Sequence, residues 1–197
     1  PARSVVFWRL RGRVGATVDT VYSPTWLFHV PAVSARGGVD NSFNPHLDVN
    51  GDGFDDVVVG ARTASVGSLR VLGTASVFHG SASGIAATPT RVLAGPQQSS
   101  SFGESVAGAG DINGDGYGDL IVGAPDTNVN TRETAGSARV FHGSPSGIAA
   151  FPNAMLLGVA AADHFGGSVA SAGDINGDGY ADVVVGAAGA DVLGRSN

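Results

Sequence analysis

Asp48-Val49-Asn50-Gly51-Asp52-Gly53-Phe54-Asp55-Asp56 decides how this chain is read, because the pattern returns twice. It recurs as Asp111-Ile112-Asn113-Gly114-Asp115-Gly116-Tyr117-Gly118-Asp119, then as Asp174-Ile175-Asn176-Gly177-Asp178-Gly179-Tyr180-Ala181-Asp182. The copies are spaced 63 residues apart. Each keeps Asp at positions 1, 5 and 9, Asn at 3, Gly at 4 and 6, and an aromatic at 7. Other landmarks keep the same step. Phe102-Gly103 returns as Phe165-Gly166, Phe78-His79-Gly80 as Phe141-His142-Gly143, and Ser83-Gly84-Ile85-Ala86-Ala87 as Ser146-Gly147-Ile148-Ala149-Ala150. A fixed period marks a protein built from stacked units, each burying its apolar face against its neighbours.

One period reads as four short strands. Ser105-Val106-Ala107 enters the acidic loop, and Asp119-Leu120-Ile121-Val122-Gly123 leaves it as an apolar run, as expected for a strand covered on both faces. A third strand is predicted from Ser137 to Phe141, and a fourth around Ala154 to Leu157 after a Ser-Pro-Ser-Gly turn. No helical periodicity competes with this reading. The 31 glycines point the same way, since Gly favours tight turns and weakens helices by about 1 kcal/mol relative to Ala. The fold class is all-β, with four-strand units of the kind that build propeller blades.

The acidic loop has the chemistry of a calcium site. Calcium takes six to eight hard oxygen ligands in forgiving geometry, and a curled loop offers them at alternate positions. In the first copy the candidates are Asp48, Asn50, Asp52, the Phe54 carbonyl and Asp56. The second offers Asp111, Asn113, Asp115, the Tyr117 carbonyl and Asp119, and the third offers Asp174, Asn176, Asp178, the Tyr180 carbonyl and Asp182. Gly at position 6 is expected to take a positive φ at the sharp turn. Three calcium ions are therefore expected, chiefly as structural pins that relieve repulsion among three carboxylates per loop. An EF-hand is set aside because position 12 is Val59, Val122 and Val185, where that motif needs Glu and a flanking helix. Magnesium fits less well, since it demands octahedral geometry and retains its waters.

The combination of Phe102-Gly103, the loop Asp111 to Asp119, and Gly123-Ala124-Pro125 resembles the FG-GAP repeat of integrin α-subunit β-propellers. The resemblance covers about residues 48–197 and implies radial blades, an extracellular setting and calcium in each loop. It divides the chain into an N-terminal β segment, 1–47, and repeats at 48–110, 111–173 and an incomplete 174–197. The third copy reads Gly186-Ala187-Ala188, without the Pro. The first departs further: residues 35–47 read ARGGVDNSFNPHL where Phe-Gly and Ser-Val-Ala are expected.

Composition excludes several functions. With no Lys, 11 Arg and a net charge of −6, the chain lacks the clustered positive charge that nucleic acid requires. The absence of Cys excludes disulfides, thiolate catalysis and Cys-bound zinc. No apolar run is long enough to span a membrane. The chain opens on Pro1 without a leader pattern and is read as a mature or excised terminus. Gly103-Glu104-Ser105-Val106-Ala107 shares part of a nucleophile elbow, but a strand follows it in place of the required helix. Ser168 repeats Ser105 in phase, which favours a packing role. His79 and His142, also in phase, are read as packing or hydrogen-bonding residues, and His164 beside Asp163 has no partner legible in the sequence. No acid, base and nucleophile converge, so the chain is not read as an enzyme.

The expected function is an extracellular binding, adhesion or assembly module with an unspecified protein or glycan ligand. The alternatives are a carbohydrate-binding lectin and an accessory propeller of a secreted hydrolase or lyase. Residues 1–47 carry Trp8, Trp26 and the run Arg9-Leu10-Arg11-Gly12-Arg13, read as a β-ribbon. Continuing the repeat phase past Asn197 places Val6-Phe7 on Val140-Phe141. Val5–Trp8 is therefore a candidate strand donor, within the chain or head to tail between copies as a ring or filament.

Overall fold

A computed structural model of the chain describes residues 47–190 except 66 and 68–70, preceded by four strands whose backbones alone are described. These are β1 (Ser4–Trp8), β2 (Arg11–Val14), β3 (Thr17–Tyr22) and β4 (Trp26–Val30). The chain divides into two compact units, Pro1–Val39 and Asp40–Asn197. In the first, β1 pairs with β4 antiparallel, from Ser4 opposite Val30 to Trp8 opposite Trp26, and β2 pairs with β3. One edge of the candidate donor strand is thus taken by β4, and self-association through it is not supported.

The second unit is a row of antiparallel sheets, and the described residues contain no helix. The first blade contains β5 (Val57–Ala61), β6 (Thr74–Phe78) and β7 (Arg91–Ala94). The second is a complete four-strand meander: β8 (Val106–Gly110), β9 (Asp119–Ala124), β10 (Ser137–Phe141) and β11 (Ala154–Leu157). The third contains β12 (Phe165–Gly173) and β13 (Asp182–Ala187). The departure at 35–47 lies, except for Leu47, outside the described residues. Leu47 itself is buried in the core of the repeats.

Strand alternation explains how the blades stack. Every residue of β9 is buried. Leu120, Val122 and Ala124 join a cluster that contains Ala75, Val77 and Leu93 of the first blade. Ile121, on the opposite face, joins a cluster against which Val169, Val183 and Val185 of the third blade pack. A period of two in a strand covered on both sides gives the continuous apolar run seen in the sequence.

The Phe-Gly landmark locks each repeat onto the one before it. Phe102 forms a parallel bridge with Gly73 and Phe165 with Gly136, each joining a new repeat to the preceding blade. Phe102 is fully buried and meets Phe141 edge to face, with ring centroids 6.3 Å apart. Gly103 has φ +82° and Gly166 φ +92°, a left-handed conformation that favours Gly. Ser105 Oγ donates to the Gly166 carbonyl at 2.8 Å, so the residue of the apparent elbow fastens two blades together.

Candidate metal centre

The acidic loops at 111–119 and 174–182 connect β8 to β9 and β12 to β13, and the loop at 48–56 leads into β5. Their internal hydrogen bonds match almost atom for atom. Asp48 Oδ1 accepts from the N–H groups of Gly51 and Asp52, at 2.8 and 3.2 Å, while its Oδ2 accepts from Gly53 at 2.9 Å. Asp111 does the same with Gly114, Asp115 and Gly116, and Asp174 with Gly177, Asp178 and Gly179. The position-3 amide oxygen accepts from the position-5 N–H in all three loops, at 3.1, 3.0 and 2.9 Å. The position-5 carboxylate accepts from the position-7 N–H. Position 1 thus sits at the centre of a curl with positions 3 and 5 beside it.

Two glycines per loop make the curl possible. Position 6 has φ of +87°, +90° and +92° at Gly53, Gly116 and Gly179, as the sequence led us to expect. Position 4 has the same handedness, with φ of +71°, +75° and +76° at Gly51, Gly114 and Gly177. That second requirement was not foreseen.

Position 9 is anchored differently. Asp56 accepts from Val49 N–H and Gly80 N–H, both at 2.8 Å, and is buried. Asp119 is fully buried and accepts from Ile112 and Gly143, both at 2.9 Å. Asp182 accepts from Ile175 at 2.8 Å. Burial pushes the Asp119 carboxyl up to about 6 against the opposing pull of the Gly143 and Ile112 N–H groups. Asp56 is raised for the same leading reason.

The Phe-His-Gly landmark turns out to belong to the site. Its Gly supplies the N–H that holds position 9. Its His meets the position-3 amide: His79 Nδ1 lies 3.4 Å from Asn50 Nδ2, and His142 Nδ1 lies 3.0 Å from Asn113 Nδ2. With the amide nitrogen turned to the imidazole, the oxygen faces the loop. The sequence placed both histidines as hydrogen-bonding or packing residues but did not connect them to the loops. Their shared 63-residue step was the available signal.

Four other described acids and histidines serve elsewhere. His164 Nδ1 lies 3.1 Å from Asp126 Oδ1, and Asp163 accepts from Ala160 N–H at 2.8 Å. Arg62 pairs with Glu104 at 2.9 Å on the surface. Among the described residues no three Asp, Glu or His side chains already converge as a metal cluster, since the loop carboxylates turn to the loop's own N–H groups. The donor set nevertheless suits a hard cation. Each loop offers three carboxylates, one amide oxygen and one backbone carbonyl within nine residues. The position-1 Oδ1 already accepts two N–H groups, whereas the carboxylate and amide oxygens that accept one retain a further lone pair.

The FG-GAP repeat family profile matches residues 46–78, 102–141 and 165–197. The chain is 33% identical over 153 residues to integrin alpha-5 of Xenopus laevis, a match covering 73% of this chain and 14% of that protein. It is 36% identical over 156 residues to integrin alpha pat-2 of Caenorhabditis briggsae, covering 71% of this chain and 12% of that protein. With integrin alpha-IIb of Homo sapiens the identity is 32% over 213 aligned positions, covering 95% of this chain and 20% of that protein. The chain therefore spans 12–20% of the length of these relatives.

Proposed function

We propose, from the premise that this chain belongs to the FG-GAP repeat family, that it is a calcium-stabilised, extracellular part of an adhesion or binding module. In this reading Asp48, Asn50, Asp52, Asp56 and the Phe54 carbonyl hold one ion. Asp111, Asn113, Asp115, Asp119 and the Tyr117 carbonyl hold a second, and Asp174, Asn176, Asp178, Asp182 and the Tyr180 carbonyl a third. The observation that carries it is the threefold recurrence of one hydrogen-bond pattern around the position-1 carboxylate. Bound there, a doubly charged cation would neutralise the mutual repulsion of three carboxylates and offset the burial of Asp56 and Asp119. The protein's part is to curl the loop, orient the amide oxygen and fasten the last carboxylate to the following strand. The module's role is recognition; Ser105, whose sequence context resembles a nucleophile elbow, is engaged in blade packing.

The reading is tested by thermal unfolding in calcium and in excess chelator. Binding to the native state alone stabilises it by about 2.7 kcal/mol per site at a hundredfold excess over Kd. Chelation is expected to lower the melting temperature by many degrees and calcium to restore it. An unchanged melt would overturn the assignment of calcium as a structural pin.

A further inference from the structure

The first and second acidic loops are each touched by the next one along the chain, through a ring and a backbone hydrogen bond. A Cβ added to Gly51 would stand 2.6 Å from Cε1 and 3.0 Å from Cδ1 of Tyr117, so the tyrosine edge fills the place of a side chain at position 4. One repeat later Tyr180 does the same to Gly114, with Cε1 at 2.6 Å and Cδ1 at 3.2 Å. Beside each ring, the position-8 N–H reaches back to the position-1 carbonyl of the preceding loop. Gly118 donates to Asp48 O at 2.8 Å and Ala181 to Asp111 O at 2.9 Å. The third loop has no such cover among the described residues, and a Cβ on Gly177 would meet nothing within 4 Å.

The covered glycine is the one whose N–H orients the first ligand. Gly51 donates to Asp48 Oδ1 at 2.8 Å, and Gly114 donates to Asp111 Oδ1 at 2.7 Å. Both glycines sit at positive φ in loops rich in conformational freedom. A ring clamped on that residue removes disorder that metal binding would otherwise have to remove. The backbone carbonyl of the same tyrosine is a ligand candidate in its own loop. One residue therefore belongs to two sites.

We propose that Tyr117 and Tyr180 are positioning residues for the loop of the preceding repeat, so that calcium affinity at 48–56 depends on loop 111–119, and affinity at 111–119 depends on loop 174–182. The dependence runs backward along the chain, from each loop to the one before it. The inference rests on the calcium reading of these loops.

The test is a calcium titration of the full chain followed by the amide resonances of Gly53, Gly116 and Gly179, one reporter per loop. Tyr117→Ala is expected to raise the calcium midpoint read at Gly53 by about 5-fold or more, in the range usual for coupled sites, while Gly179 keeps its midpoint. Tyr117→Phe, which preserves the ring, is expected to restore Gly53. Asp111→Ala, which leaves the ring in place but impairs the second site, is expected to weaken Gly53 as well and guards against a Tyr117→Ala chain that fails to fold. An unchanged Gly53 midpoint in a folded Tyr117→Ala protein, or in Asp111→Ala, would overturn the coupling while leaving calcium binding intact. Resonances that ignore calcium in the unsubstituted chain would overturn the calcium reading and the coupling with it.

Discussion

Gly123 and Gly166 pack backbone to backbone across a blade boundary: a Cβ on Gly123 would fall on the carbonyl oxygen of Gly166. Gly60 and Gly103 repeat the relationship one step earlier. The two glycines of the family's motif, one in Phe-Gly and one in Gly-Ala-Pro, are thus two sides of one contact between successive repeats. Gly123 is paired with Ala138 of β10 and cannot retreat without breaking that ladder.

Gly123→Ala is therefore expected to destabilise the protein by about 3 kcal/mol, the upper range for overpacking against atoms that cannot move aside. Gly84→Ala is the comparison, because Gly84 has φ +104° but open space around it. It is expected to cost about 1 kcal/mol, for backbone conformation alone. Urea denaturation of both variants checks the difference, and equal losses would remove steric contact as the reason for Gly123.

Phe102 offers a second comparison. It is fully buried between the first two blades, whereas Phe151 is 82% exposed. Phe102→Ala is expected to cost about 3–5 kcal/mol through cavity formation, and Phe151→Ala less than about 0.5 kcal/mol. Chemical denaturation again provides the measurement. A mild Phe102→Ala would mean that the repeats are not held together at this residue.

Ligation and structural anchoring can be separated within one loop. Asp119 is buried and satisfies two backbone N–H groups, whereas Asp115 is exposed. In chelator, Asp119→Ala is expected to lose about 1–3 kcal/mol for each N–H left unpaired, and Asp115→Ala to lose little. In calcium, both are expected to fall short of the unsubstituted protein's stability. Glu104→Ala, which breaks only a surface ion pair, is the control outside the loops. A large Asp115→Ala loss in chelator would show that its carboxylate acts without a metal.

Much of this arrangement was legible in the sequence because repetition turns one pattern into three concordant observations. The strands predicted around Ser137 to Phe141 and Ala154 to Leu157 appear at those residues, and Asp119 to Gly123 forms β9, extended by Ala124. The positive φ at position 6 was legible because a nine-residue curl needs it. What escaped the reading involves residues distant in sequence. His142 lies 29 residues from Asn113, and Tyr117 meets Gly51 only because two repeats lie side by side. Periodicity says that such residues are equivalent from repeat to repeat, but not which of them touch. Val5–Trp8 marks the limit in the other direction, since an apolar match to β10 suits any strand pairing, and the pairing observed is with β4.

The claim that each of the three acidic loops holds one calcium ion is tested most directly by counting ions. Native mass spectrometry of the full chain in calcium is predicted to find three bound ions, falling to two in Asp111→Ala and to two in Asp174→Ala. No retained calcium, or three ions still bound in Asp111→Ala, would contradict the account.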